Sequence, residues 1–155
     1  MTIQPGDMLD SIDRTVTQAQ VEAYADAAGD HNPIHLDAEF AAKTPFGRRI
    51  AHGMLTLAMV SEMLTSAYPN NWASGGRLKV RFRAPVFPGE TVHVTGEVKK
   101  VTESDGGRLA EITVGVKKDD GEDVITGQAF VQLDRPLFNY STLRERPEVP
   151  EEPGI

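Results

Sequence analysis

The stretch Gly53-Met54-Leu55-Thr56-Leu57-Ala58-Met59-Val60-Ser61-Glu62-Met63-Leu64-Thr65-Ser66-Ala67 decides how this chain folds. Met54, Leu55, Leu57, Ala58, Met59, Val60, Met63 and Leu64 read as a helix, and they cover nearly its whole circumference. A soluble helix that is apolar all round has to be wrapped by other structure. No other long helix is visible in the sequence, so the wrapping falls to a sheet.

The residues that follow supply that sheet. Leu78, Val80 and Phe82 alternate with Arg77, Lys79, Arg81 and Arg83, which makes one face apolar and the other basic. Pro88-Gly89 marks a turn, and Val92, Val94 and Val98 continue the alternation. Asp105-Gly106-Gly107 and Asp119-Asp120-Gly121 are hairpin signals. Between and after them Ala110, Ile112, Val114 and Val116, then Ile125, Ala129, Val131 and Leu133, keep period two. With a first strand within Met8 to Val16, the pattern predicts an α+β domain, an antiparallel sheet of about five strands curled around one long helix.

Upstream of the long helix, Thr17 and Gln20 form a capping-box pattern. Val21, Tyr24, Ala25 and Ala28 then share a helical face, and Gly29 is placed to end that helix. Asp30 to Leu36 reads as a loop. Asp37 caps a short helix through Phe40 and Ala42, which Pro45 stops.

Composition narrows the function classes. At 155 residues the chain has the length of one domain. We place that domain at 1–135 and a Pro-rich, extended or disordered arm at 136–155. The absence of cysteine excludes a disulfide framework, a thiolate nucleophile and a Cys-ligated metal. A formal charge of −7 argues against a general nucleic-acid binder. No secretory leader is visible at Met1, and Met54 to Ala67 falls short of the about 20 residues that cross a bilayer. A cytoplasmic protein without membrane attachment is the expectation.

Three of the four histidines fall between positions 31 and 52. Asp30 and His35, bent together by Asn32-Pro33, have the chemistry to hold and deprotonate one water without a metal. The same residues also suit plain turn chemistry. His31 and His35 have the spacing of a zinc pair on a helix, but Pro33 between them disfavours helical geometry, so no metal is expected. At His52-Gly53 the start of the long helix offers unpaired N–H groups, and Gly53 allows a carbonyl oxygen close approach. The bland reading makes Gly53 a plain helix start and His52 a satisfied loop histidine. Ser61 either bonds back to a helix carbonyl or faces a pocket. The basic stripe that includes Arg81 and Arg83 is either a solvated strand face or an anchor for an anionic carrier.

Tyr24-Ala25-Asp26-Ala27-Ala28-Gly29-Asp30-His31-Asn32-Pro33-Ile34-His35-Leu36-Asp37 resembles the hydratase motif of the MaoC-like (R)-specific enoyl-CoA hydratases. Ile50-Ala51-His52-Gly53-Met54-Leu55 and Phe82-Arg83-Ala84-Pro85-Val86-Phe87-Pro88-Gly89-Glu90 are similar to that family as well. The likeness runs over residues 6 to 134. It implies the hotdog fold, and a homodimer or hetero-oligomer of such domains with the site at or near the interface. It implies hydration of trans-2-enoyl thioesters of coenzyme A or acyl carrier protein, with no cofactor beyond the coenzyme A of the substrate. It maps the catalytic pair onto Asp30 and His35, the carbonyl-polarising N–H onto Gly53, loop orientation onto Asn32, and a pocket serine onto Ser61. Tyr24, Phe40 and Met54 become candidate pocket residues, and Arg81 and Arg83 candidate carrier contacts. His31 stands at a variable position of the motif. The competing readings are a non-catalytic subunit of a heteromeric dehydratase and a hotdog thioesterase, for which Glu62 is the one acid on the long helix.

Overall fold

Five strands, β1 (Ile12–Thr15), β2 (Arg77–Phe82), β3 (Thr91–Ser104), β4 (Gly107–Lys118) and β5 (Asp123–Gln132), form one sheet in the computed structural model. The structure describes residues 3–104 and 106–134. Strand order is β1-β3-β4-β5-β2, and every pairing is antiparallel. Period-two patterning explains the pairing. Val92, Val94, Val98, Ala110, Ile112, Val114, Val116, Ile125, Ala129 and Val131 all face inward and are buried. Asp119-Asp120-Gly121 turns β4 into β5, with Gly121 at φ 86°, where a side chain would strain the backbone. The first strand is shorter than Met8 to Val16. Before Ile12 the chain follows β3 through an isolated Met8–Glu97 bridge and a Leu9 N–H bond to the Gly96 carbonyl of 2.9 Å. Asp105 and the arm over 136–155 lie outside the described residues.

The helices are α1 (Gln18–Ala28), α2 (Pro33–Leu36), α3 (Ala38–Ala42), α4 (Gly53–Ala67) and α5 (Pro69–Gly75). Thr17 and Gln20 close the capping box of α1, and Gly29 ends it in the left-handed region at φ 71°. Asp37 caps α3 through the Glu39 and Phe40 N–H groups.

Two expectations need correction, and one stretch for which none was made carries a helix. The segment after Asp30 is not all loop: Pro33–Leu36 is one helical turn, with Asn32 as its cap. Pro33 stands at the first helical position, where its missing N–H costs nothing, and Asn32 keeps a non-helical backbone. The stretch 68–76 carries α5, started by Pro69 and held by Asn71 Nδ2 bonds to the Gln132 and Leu133 carbonyls. Finally, α4 is not wrapped all round. It buries Thr56, Met59, Val60, Met63 and Leu64 against β3 and β4, but Met54 is 55% exposed and Ala58 is open. A sheet lies on one side of a helix, so one chain covers only one stripe.

Close approach fixes one glycine more firmly than its neighbour. A Cβ on Gly127 in β5 would strike the Lys79 carbonyl oxygen and lie 2.8 Å from Val80 Cα, both backbone atoms of β2. On Gly115 in β4 it would find only ordinary contacts at 3.7 Å. We expect Gly127→Ala to destabilise the fold by about 2 kcal/mol. Gly115→Ala should stay within about 1 kcal/mol of the parent. Urea unfolding of both variants checks the difference, and equal midpoints would contradict it.

On β3, His93 is clamped between Asp13 of β1 and Asp119 of the β4–β5 turn, at 2.7 Å to each. The hydrogen bonds to Asp13 and then Asp119 raise its pKa above the ordinary 6.5. A raised folded value means the clamp stabilises fully below the unfolded pKa and is lost as pH climbs through the folded one. His93→Gln should therefore lower the melting temperature at about pH 6 and do so less at about pH 9. A deficit independent of pH would sink this account.

Candidate active site

α1, α2 and the start of α4 bring the sequence candidates into one cluster. Asn32 Oδ1 accepts from the Ile34 N–H at 3.1 Å, which starts α2 and turns His35 inward. The His35 ring is buried, and its Nδ1 bonds the Ile50 carbonyl at 2.8 Å. A carbonyl only accepts, so Nδ1 carries the proton and Nε2 keeps a free lone pair. Asp30 is exposed at the end of the α1–α2 connection, and its Oδ1 accepts from the Asn32 N–H at 3.3 Å.

His52 stands between these two residues and α4. It is 2% exposed and stacks on His35, with ring centroids 3.8 Å apart and planes at 31°. The Tyr24 ring also packs against it, with centroids 5.0 Å apart and planes at 51°. Its Nε2 bonds the Asp30 backbone carbonyl at 3.0 Å, which makes Nε2 the donor. The segment leading to it is tied down by the Ile50 N–H on the Ile34 carbonyl and the Ala51 N–H on the Val86 carbonyl.

Gly53 follows His52 directly as the first residue of α4. Among the described residues nothing accepts from its N–H, the usual state of a first-turn amide. A Cβ there would meet the Phe82 ring at 3.1 Å, so glycine keeps the approach open. A cavity of about 300 Å³ adjoins Gly53, walled by Phe46, Ile50, Phe82, Pro85 and Val86. Arg83 borders it and also a second cavity of about 350 Å³, which holds Lys79, Arg81, Thr113, Thr126 and Gln128.

A carboxylate oxygen of Asp30 and one ring nitrogen each of His35 and His52 lie within 4.8 Å of one another. Such a donor set is one that divalent ions accept. One nitrogen of each ring donates to a backbone carbonyl, a tie that fixes the ring whether its other nitrogen meets a metal or a water. The same arrangement suits proton transfer to and from a water.

Other candidates stand apart. Ser61 lies two helical turns beyond Gly53, about 12 Å along the axis, and accepts from Trp72 Nε1 at 2.9 Å. Phe40 is exposed on α3 and Met54 on α4. Arg81 lies with Lys79 on the sheet face opposite α4, and of the two candidate arginines only Arg83 reaches the Gly53 cavity. His31 pairs with Asp26 at 2.9 Å, away from the cluster. Glu62 is held by Arg14 in a two-pronged ion pair of 2.8 and 2.9 Å. Sequence reasoning missed Gln18, whose Nε2 donates to the His35 carbonyl at 3.1 Å, and gave His52 no role. Gln18 carries no local signal. For His52 the hint is its place directly before Gly53.

A family model described as MaoC like domain matches residues 2–120. The 3-hydroxybutyryl-CoA dehydratase of Methylorubrum extorquens is 38% identical over 122 residues, 77% of this chain and 74% of that one. The (R)-specific enoyl-CoA hydratase of Aeromonas caviae is 36% identical over 115 residues, 74% of this chain and 84% of that one. The solved (R)-hydratase of A. caviae, described as involved in PHA biosynthesis, superposes with a TM-score of 0.75 at 32% identity. The match covers 85% of this chain and 98% of that structure. With its helix-filled antiparallel sheet and its Asp30–His35 loop, this chain belongs to the MaoC-like dehydratase family of hotdog-fold proteins.

Proposed function

We propose that this protein is a hydro-lyase that adds water reversibly across trans-2-enoyl-CoA thioesters to give (R)-3-hydroxyacyl-CoA. The observation that carries the reading is the convergence of the Asp30 carboxylate and the His35 ring on His52, the residue directly before Gly53 and its unpaired N–H. The names of its relatives, a 3-hydroxybutyryl-CoA dehydratase and an (R)-specific enoyl-CoA hydratase, support the same class.

The steps follow from the groups present. The Gly53 N–H, with the positive end of the α4 dipole, draws charge onto the thioester oxygen and leaves C3 electrophilic. Asp30 and the free Nε2 of His35 both accept from one water and hold it beside C3. As the water oxygen bonds C3, one of them takes its proton. The enolate oxygen rests on Gly53, and a proton returns to C2 on the same face. Dehydration is the reverse. The chemistry requires no redox cofactor and no metal, and coenzyme A enters as part of the substrate.

The carrier end has its own support. A ligand with its thioester at Gly53 meets the apolar cavity by Phe82, then Arg83, then the basic groove of Lys79 and Arg81 on the outer face of an edge strand. Phosphates suit that groove. The uncovered apolar surface around Gly53, with Met54 55% and Phe82 52% exposed, favours work as a dimer with a second hotdog domain. The thioesterase alternative loses ground because Glu62 is bound to Arg14, two turns from Gly53.

Asp30→Asn and His35→Ala should each lower hydration of crotonyl-CoA by about 10²- to 10⁴-fold with the fold intact. Loss of enoyl absorbance without thiol release identifies hydration. Thiol release would make the protein a thioesterase, and near-parental rates would remove both residues from the mechanism. Arg83→Ala should raise KM for the CoA thioester about tenfold with kcat within about twofold, Arg81→Ala less so. Steady-state kinetics at low salt read the difference, and an unchanged KM would return the stripe to a solvated strand face.

A further inference from the structure

Two atoms single themselves out. Among the described residues, Gln18 Oε1 and His52 Nδ1 are the buried side-chain polar atoms without a hydrogen-bond partner. Native interiors leave few such groups, and each one costs stability. Both belong to side chains that spend their other polar atom on a backbone carbonyl of a candidate catalytic residue. Gln18 Nε2 holds the carbonyl of His35, and His52 Nε2 holds that of Asp30.

We infer that Gln18 and His52 are positioning residues that clamp the backbone of Asp30 and His35. This rests on the hydratase reading of that pair. Packing alone does not explain either side chain. A phenylalanine would fill the place of His52 beside Tyr24 and His35, and a methionine that of Gln18, with no orphan atom in either side chain; what they would forfeit is the donor to each carbonyl. The fold bears two orphan atoms where the donors restrain the two carbonyls. Each clamp acts on the main chain, so Oδ2 of Asp30 and Nε2 of His35 are left for water while Asp30 Oδ1 accepts from the Asn32 N–H. His52 acts twice, because its ring also packs on the His35 ring at a centroid distance of 3.8 Å. The residue after His52 is Gly53, so one side chain ties the acid–base pair to the amide that polarises the carbonyl.

His52→Phe keeps the stacked ring and removes the donor, His52→Gln keeps a donor and removes the ring, and Gln18→Met removes the second donor. For a packing role, stability and rate should fall together. For the clamp they should part. His52→Phe and Gln18→Met should melt within a few degrees of the parent, the orphan atom removed offsetting the donor lost, while kcat on crotonyl-CoA falls about 10- to 100-fold and KM stays within about threefold. His52→Gln should recover part of the rate lost in His52→Phe. Well-folded variants with kcat within about threefold of the parent would overturn the assignment, as would a loss of rate proportional to a loss of stability. Nitrogen-15 spectra of the parent protein give a readout independent of turnover. His52 should show the Nε2–H tautomer and His35 the Nδ1–H tautomer, and the opposite proton placement on either ring would also overturn the clamp. A parent that hydrates no enoyl thioester would refute the hydratase reading instead, and the spectra would still judge the clamp.

Discussion

Everything in this molecule is placed by one contact, the stripe of α4 pressed against the inner face of the sheet. Met59, Val60, Met63 and Leu64 are buried there among the valines of β3 and β4. Each such side chain contributes about 1.5–3 kcal/mol on burial. Four of them match the about 5–15 kcal/mol of net stability expected for a whole domain. A helix is stiff, so seating its middle also seats its first residue. Gly53 comes to rest against Phe82, at the end of edge strand β2, and has no freedom to be elsewhere. The site is thus a consequence of the core, displaced by two turns of helix.

The loop that carries Asp30 and His35 is fastened in a different way. α2 is a single turn and cannot hold itself in water. Its stability comes from a cap at Asn32, from Gln18 on α1 and from the strand-like anchoring of Ile50 and Ala51 to Ile34 and Val86. Nearly all of these bonds use main-chain partners. That division has a chemical logic. Groups that must exchange protons with water cannot spend their own lone pairs on structure, so the backbone around them carries the restraint. Asp30 shows the limit of the rule, since its Oδ1 accepts from the Asn32 N–H, whereas His35 gives Ile50 a proton and keeps its lone pair.

Local signals and long-range ones were not equally legible in the sequence. The Thr17 capping box, the Gly29 terminus, the Asp37 cap and the alternation of β2 to β5 depend on neighbours within a few residues, and all are present in the structure. The pairing of Asp30 with His35 was legible for the same reason, because Asn32-Pro33 bends the chain locally. What sequence could not show lies across distance. The orphan atoms of Gln18 and His52 arise from contacts over 17 and 22 residues. The engagement of Ser61 depends on Trp72 in a helix that no periodicity announced. The open face of α4 escaped because an apolar helix surface does not say which part its own chain covers.

The charge distribution completes the picture of approach. A chain of net charge −7 should repel an anionic thioester at long range. At cellular salt, however, exposed charges act over about 8 Å only, so a ligand near β2 feels the nearest charges and not the total. Those nearest charges are Lys79, Arg81 and Arg83, set on one face by the period of the strand. The other face of the same strand carries Phe82 toward Gly53. One alternating strand therefore presents a cationic surface on the outside and an apolar wall beside the reactive amide on the inside. That is the same polarity sequence, phosphate then aliphatic arm then thioester, that an acyl-CoA carries along its length. Because β2 is an edge strand, no further strand of this chain separates the two faces.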